Sequence, residues 1–267
     1  MESSLEKVKL FVFDVDGTLI LGTQPLPFAK QVLERLTSEH IDFVILSNNS
    51  SYSVKGNKER LEIVLDLQLS MSNIYTSTQA SIDYLLKNKM LNCYLIGTPS
   101  MIEDFEKKGI KSTSENPQAI ILGFDKTLDY EKIQTAALLL QQKDKIPFFA
   151  THLDDTCPID NGRIPDVGSF LKMFEQATGR TADLVFGKPS NLILDLVLKQ
   201  KNFAKSEVLV VGDRLETDIK MAVNSGVKSA LVLTGETKEK DLSNSEFRPD
   251  FVWKNLETLY NYLNDKN

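Results

Sequence analysis

A doubly wound α/β fold, with a parallel Rossmann-like core sheet and a second α/β domain inserted into it, is the architecture this sequence predicts. Three observations point to it. Short apolar runs alternate with helix-period segments along the whole chain, the pattern of parallel βα units. Several of those runs stop at a polar or acidic residue, as strands do when their carboxyl ends open on a ligand crevice. The middle of the chain repeats the strand-and-helix pattern without those polar stops.

Taken in order, the first strand is expected from Val8 to Phe13, ending at Asp14. Phe28, Ala29, Val32, Leu33 and Leu36 then recur at helical spacing. Phe43 to Leu46 is a second apolar strand, stopping at Ser47. Residues 78–183 form the second set, with strands at Cys93 to Ile96, Ala119 to Leu122 and Phe148-Phe149. Ile133, Ala136, Ala137 and Leu140 mark a helix among them. The first domain resumes with strands at Val208 to Val211, Ala230 to Leu233 and Phe251-Val252. A helix carrying Leu256, Leu259, Tyr260 and Leu263 closes the chain, and the polar Gly235 to Arg248 stretch reads as a surface loop with a short helix. The expected division is one core made of residues 1–77 and 184–267, interrupted by an insert over 78–183.

At 267 residues, 42% hydrophobic and 25% charged, the chain has ample material for a core. A net charge of -6 and the lack of any Lys/Arg stripe argue against a nucleic-acid partner. Two cysteines are too few for a zinc site or a disulfide framework, and Cys93, in an apolar run, is expected in the core. No run approaches the ~18 apolar residues of a membrane span, and Met1 to Lys7 lack a signal peptide's apolar region. No membrane partner is expected, and the cytoplasm is the expected location.

The chemistry begins at Asp14-Val15-Asp16-Gly17-Thr18. Two carboxylates one residue apart on a turn can face one crevice and do two jobs. Asp14 would attack phosphorus and form an aspartyl-phosphate, while Asp16 protonates the leaving alcohol and then activates water. Gly17 permits the bend, and Thr18 offers a hydroxyl to orient the nucleophile. Chance alone yields such a five-residue pattern in roughly one chain in a few hundred of this length. Asp213 and Asp218 follow a later strand and would bring four carboxylates to one crevice. Like charges that close need compensation. A hard divalent cation supplies it, and Mg²⁺ suits one or two carboxylates plus a substrate phosphate. Asp14 and Asp213 are assigned as side-chain ligands and Asp16 as a backbone-carbonyl ligand, with Asp218 standing behind them. Ser47 and Asn48, ending the second strand, can hold the non-transferring phosphoryl oxygens. Lys188, between Gly187 and Pro189, can neutralise charge growing on phosphate and Asp14.

In that order, these motifs resemble those of the haloacid dehalogenase (HAD) superfamily, and the resemblance extends over nearly the whole chain. The insert lies where a C2-type cap domain is placed. Ser47-Asn48-Asn49-Ser50, Leu122-Gly123-Phe124-Asp125, Ala150-Thr151-His152-Leu153-Asp154, Val211-Gly212-Asp213-Arg214 and Leu233-Thr234-Gly235-Glu236-Thr237 are similar to the NagD-like (class IIA) branch. That branch holds phosphatases of sugar phosphates, nucleotides, pyridoxal phosphate and phosphoglycolate. The resemblance implies Mg²⁺ dependence, Asp14 as nucleophile and Asp16 as acid/base. The chain departs from the branch at His152, where Asn is common, and at Pro165-Asp166-Val167-Gly168, where Pro-Gly-Ala-Gly is frequent. Both departures lie in the expected cap, so His152, Asp154 and Asp155 are candidate substrate contacts.

The expected activity is a Mg²⁺-dependent phosphomonoesterase acting on a small phosphorylated metabolite, since a cap of about 100 residues would exclude bulky substrates and water. A dehalogenase on the same scaffold needs neither Asp16 nor Asp213. A phosphoacceptor module with little turnover would carry an acidic Mg²⁺ site and a lysine, yet gains nothing from an acid/base at Asp16 or from a second domain. The identity of the metabolite, phosphotransfer to other alcohols and a homodimeric state are left open by the sequence.

Overall fold

The structure is a computed structural model describing residues 5–142, 145–159, 161–243 and 245–265. The chain divides into two compact units. The first takes the described residues up to Ser47, Lys58–Tyr75, and those from Leu194 onward; the second takes Asn48–Asn57 and Thr76–Ile193. Residues 48–57, 76–77 and 184–193 thus go with the second unit, beyond the 78–183 expected from the sequence. Within the second unit two bonds link Asn48 to Lys188, 140 residues apart: Asn48 Nδ2 donates to the Lys188 carbonyl, and the Lys188 N–H donates to Asn48 Oδ1.

The first unit is built on a six-stranded sheet. Its order is Phe251–Trp253, Lys228–Val232, Val208–Gly212, Leu10–Phe13, Asp42–Ser47 and Ile74–Thr76. The described ladders are parallel. All four residues of Leu10–Phe13 and all five of Val208–Gly212 are buried, the continuous apolar signature of strands covered on both faces. In register, Phe13 pairs with Val211 on one side and Ile45 on the other, so Asp14, Gly212-Asp213 and Ser47 emerge at the carboxyl ends of three adjacent strands. Helix Ala29–Ser38 buries Ala29, Val32, Leu33 and Leu36, a stripe at the period of an amphipathic helix. Burying each of its leucines contributes roughly 1.5–3 kcal/mol. It packs against Glu257–Asp265, with the Phe28 and Tyr260 rings 5.5 Å apart. The polar stretch after Gly235 contains a 3-10 helix, Glu239–Ser243.

The second unit has a five-stranded parallel sheet in the order Leu184–Val185, Phe148–Ala150, Ala119–Leu122, Asn92–Ile96 and Lys111–Ser112. An antiparallel hairpin joins Thr156–Ile159 to Gly162–Pro165. Ile96, Ile120, Leu122, Phe148, Val167 and Phe174 meet in one core, with Phe148 and Phe174 edge to face at 6.1 Å. Cys93 is fully buried, and burial pushes its thiol up to about 11, so it is inert core as the sequence suggested. Among the described residues no helix is long and apolar enough to cross a membrane.

Candidate active site

The Val208–Gly212 strand does not run directly into an α-helix. Leu215–Ile219 forms a π-helical turn, closed by the Ile219 N–H donating to the Arg214 carbonyl at 3.2 Å. Such turns are rare and recur at functional sites. Asp213 lies just before this turn and Asp218 within it, and both carboxylates turn toward Asp14. Ligand oxygens of Asp14, Asp213 and Asp218 all lie within 4.8 Å of one another.

Asp213 is the centre of the cluster and is 1% exposed. Its Oδ2 accepts the Glu236 N–H at 2.6 Å, while Oδ1 is buried with no hydrogen-bond partner among the described residues. Burial, reinforced by the charges of Asp14 and Asp218, raises its carboxyl well above the usual range. The Glu236 N–H and the Arg214 charge oppose that rise. Two glycines make room for it. Gly17 has φ +97°, and a Cβ on either Gly17 or Gly235 would overlap the Asp213 carboxylate. The Gly17 carbonyl in turn accepts the Thr234 hydroxyl at 2.6 Å. Gly235→Ala should therefore displace the Asp213 carboxylate and raise the Mg²⁺ concentration needed for half-maximal activity, read from a metal titration of the rate. An unchanged requirement would show that the close approach is dispensable.

This donor set fits a hard divalent cation. It offers carboxylate oxygens, one of them buried and without a hydrogen bond, in a cradle too tight for a larger side chain. Asp218, expected to stand behind the ligands, contributes a carboxylate to the same cluster; its Oδ2 also accepts the Arg214 N–H and the Thr217 hydroxyl, each at 3.3 Å.

The Asp16 side chain turns elsewhere. Its Oδ1 accepts from the Arg60 guanidinium at 2.9 Å, and Arg60 also donates to the Gly22 carbonyl at 3.3 Å. Arg60 was not anticipated. It lies 44 residues from Asp16 on a helix, Val54–Leu65, whose apolar pattern is weak. Thr18 is buried, but its hydroxyl has no hydrogen bond among the described residues, so no contact with Asp14 is shown. Ser47 is buried at the end of its strand.

The remaining expected residues belong to the second unit. Asn48, Lys188, His152 and Asp154 meet there: Asn48 Nδ2 donates to Asp154 Oδ2 at 3.0 Å, and His152 Nδ1 lies 3.2 Å from the same oxygen. Lys188 is only 3% exposed, a burial that lysine rarely shows unless it is paired. Asp155 turns away toward Lys172, whose ammonium is 2.8 Å from both of its oxygens.

Comparison with known proteins identifies the family. Residues 11–111 match the haloacid dehalogenase-like hydrolases, and residues 185–259 match the HAD-hydrolase-like family. A 4-nitrophenylphosphatase from Thermotoga maritima is 38% identical and superimposes with a TM-score of 0.91, covering 97% of this chain and 98% of that one. NagD from E. coli K-12 is 26% identical, with a TM-score of 0.86 over 93% of this chain and 97% of that one. A glycerol phosphate phosphatase from Mycobacterium tuberculosis, solved in complex with magnesium, is 26% identical with a TM-score of 0.88, covering 97% and 79%. By its sequence and its two parallel sheets, the chain belongs to the haloacid dehalogenase-like hydrolases, in their NagD-like phosphatase branch.

Proposed function

We propose that this protein hydrolyses phosphate monoesters of small metabolites with Mg²⁺, carrying the phosphoryl group transiently on Asp14. The observation that supports this most is the convergence of Asp14, Asp213 and Asp218, with a buried Asp213 oxygen that has no hydrogen bond among the described residues. A Mg²⁺ ion held by Asp14 and Asp213, with the Asp16 carbonyl, would offset the carboxylate charges and draw electron density from the phosphate.

An Asp14 oxygen attacks phosphorus, and the bond from phosphorus to the ester oxygen breaks. Asp16 gives its proton to the departing alkoxide, releasing the alcohol. The Asp16 carboxylate then takes a proton from water, whose oxygen attacks phosphorus and breaks the bond to Asp14, freeing inorganic phosphate. Arg60, holding Asp16 by one oxygen, limits that carboxylate to few orientations. Ser47 and Asn48 are assigned to the non-transferring phosphoryl oxygens and Lys188 to the charge on phosphate; the order of their motifs along the chain supports these roles. His152 and Asp154 are proposed as substrate contacts.

Phosphate release from a panel of small phosphomonoesters, with Mg²⁺ and with EDTA, tests the reading. Release that EDTA abolishes and added Mg²⁺ restores is expected, and the ranking of esters would begin to name the substrate. Activity undiminished by EDTA would remove the metal from the mechanism. Folded protein inert on every ester would favour the phosphoacceptor role.

A further inference from the structure

His152 has no accessible surface and lies at the head of the loop that follows strand Phe148–Ala150. Each ring nitrogen faces a carboxylate: Nδ1 lies 3.2 Å from Asp154 Oδ2, and Nε2 lies 3.5 Å from Asp166 Oδ1, an ion-pair distance at which Nε2 makes no hydrogen bond among the described residues. Asp166 is itself anchored, its Oδ1 accepting the Val167 N–H at 2.7 Å as the cap of helix Val167–Thr178. Nδ1 has a second neighbour, the Asp154 backbone N–H at 3.3 Å. These two partners exclude each other. A bare Nδ1 accepts from the amide, and a protonated Nδ1 donates to the carboxylate. Whether Nδ1 carries a proton therefore decides whether the ring holds the Asp154 side chain, and the imidazolium always carries one there.

The Asp154 carboxylate leads onward. The oxygen that faces His152 also accepts Asn48 Nδ2 at 3.0 Å. Asn48 grips the Lys188 backbone on both sides, donating to its carbonyl at 3.0 Å and accepting its N–H at 2.8 Å. We propose that His152, as an imidazolium held between Asp154 and Asp166, is a positioning residue for Lys188, acting through Asp154 and Asn48. The proposal rests on Lys188 carrying the phosphate-facing charge assigned above.

The charged groups that face the ring are Asp154 on its own loop, Asp166 at the helix start and Lys188 after strand Leu184–Val185. Burial works against the imidazolium. The Asp154 hydrogen bond and the charges of Asp166 and Asp154 outweigh burial and the opposing Lys188, so the ring's pKa is raised above 6.5. The folded value thus exceeds the unfolded one. Its stabilising contribution is complete below the unfolded value and is lost as pH rises through the folded value.

The chain has two histidines, His40 and His152, so imidazole NMR resolves each, and His152→Asn assigns the signals. The expected result is a His152 titration above 6.5, with the Lys188 backbone amide resonance moving at the same midpoint. In Asp166→Asn, where Asn still caps the helix, that midpoint should fall and the Lys188 amide should follow it. With 4-nitrophenyl phosphate, kcat should decline on the alkaline side at the same midpoint, and His152→Gln should lower kcat by roughly 10- to 100-fold. A Lys188 amide indifferent to the His152 titration, or a His152 midpoint below 6.5, would overturn the proposal. If no ester is hydrolysed at all, the functional reading fails while the amide titration still decides the positioning role.

Discussion

Asp14→Asn is expected to leave a folded protein whose phosphate release is lower by about 10⁵-fold or more, the scale on which loss of a covalent nucleophile is felt. In activation free energy that is about 7 kcal/mol. The loss has a direct cause, because an amide oxygen is a far weaker nucleophile than a carboxylate and no other carboxylate in the cluster is placed as its substitute. Asp213 is fully buried and bonded to the Glu236 N–H, and Asp218 is bonded to Arg214 and Thr217. The fold should survive, since the substitution keeps side-chain shape and removes one charge from three crowded carboxylates. Initial rates alongside a thermal melt check both halves. Full activity in the variant would place the nucleophile elsewhere.

Asp213→Asn should separate stability from metal binding. In the wild-type protein without metal, Asp213 is buried against Asp14 and Asp218, and its raised pKa means that ionising it destabilises the fold. The sign follows from linkage. The folded state binds its proton more tightly than the unfolded state, so stability falls as pH climbs from 3.8 toward the folded value. Asparagine fits the same space without the charge, so the metal-free variant should melt no lower than wild type at neutral pH. Mg²⁺ at a hundred times its dissociation constant should stabilise wild type by about 2.7 kcal/mol, a melting shift of roughly 5 °C or more. The variant should lose most of that shift. An equal Mg²⁺ shift in both proteins would remove Asp213 from the ligand set.

What the sequence made legible, and what it hid, follows from the range of the interactions. Leu10–Phe13 and Val208–Gly212 were readable because a central parallel strand is apolar on both faces, and the acids that stop them lie at their carboxyl ends. Family and activity class followed from those same acids. The pairing of Arg60 with Asp16 had no local signature, since it spans 44 residues and depends on a helix in which polar Asn57 is buried. Asp218 was legible as a member of the crevice, but not as a direct partner of Asp14 and Asp213, because a π-helical turn, which no 3.6-residue period announces, sets that geometry. Likewise, the two Asn48–Lys188 bonds join segments 140 residues apart and leave no local mark in the sequence. The hairpin Ile20–Leu21 with Gln24–Pro25 is simply too short to show an alternation.

The central claim is that Asp14 carries the phosphoryl group and Asp16 moves the protons. Asp16→Asn with 4-nitrophenyl phosphate tests both in one trace. Nitrophenolate leaves without needing a proton, so transfer to Asp14 should proceed, whereas hydrolysis of the phospho-enzyme lacks its base. The account predicts a stoichiometric burst of nitrophenolate followed by a stall, and no burst when Asp14→Asn is added. Sustained turnover at the wild-type rate in Asp16→Asn, or a burst that persists without the Asp14 carboxylate, would contradict it.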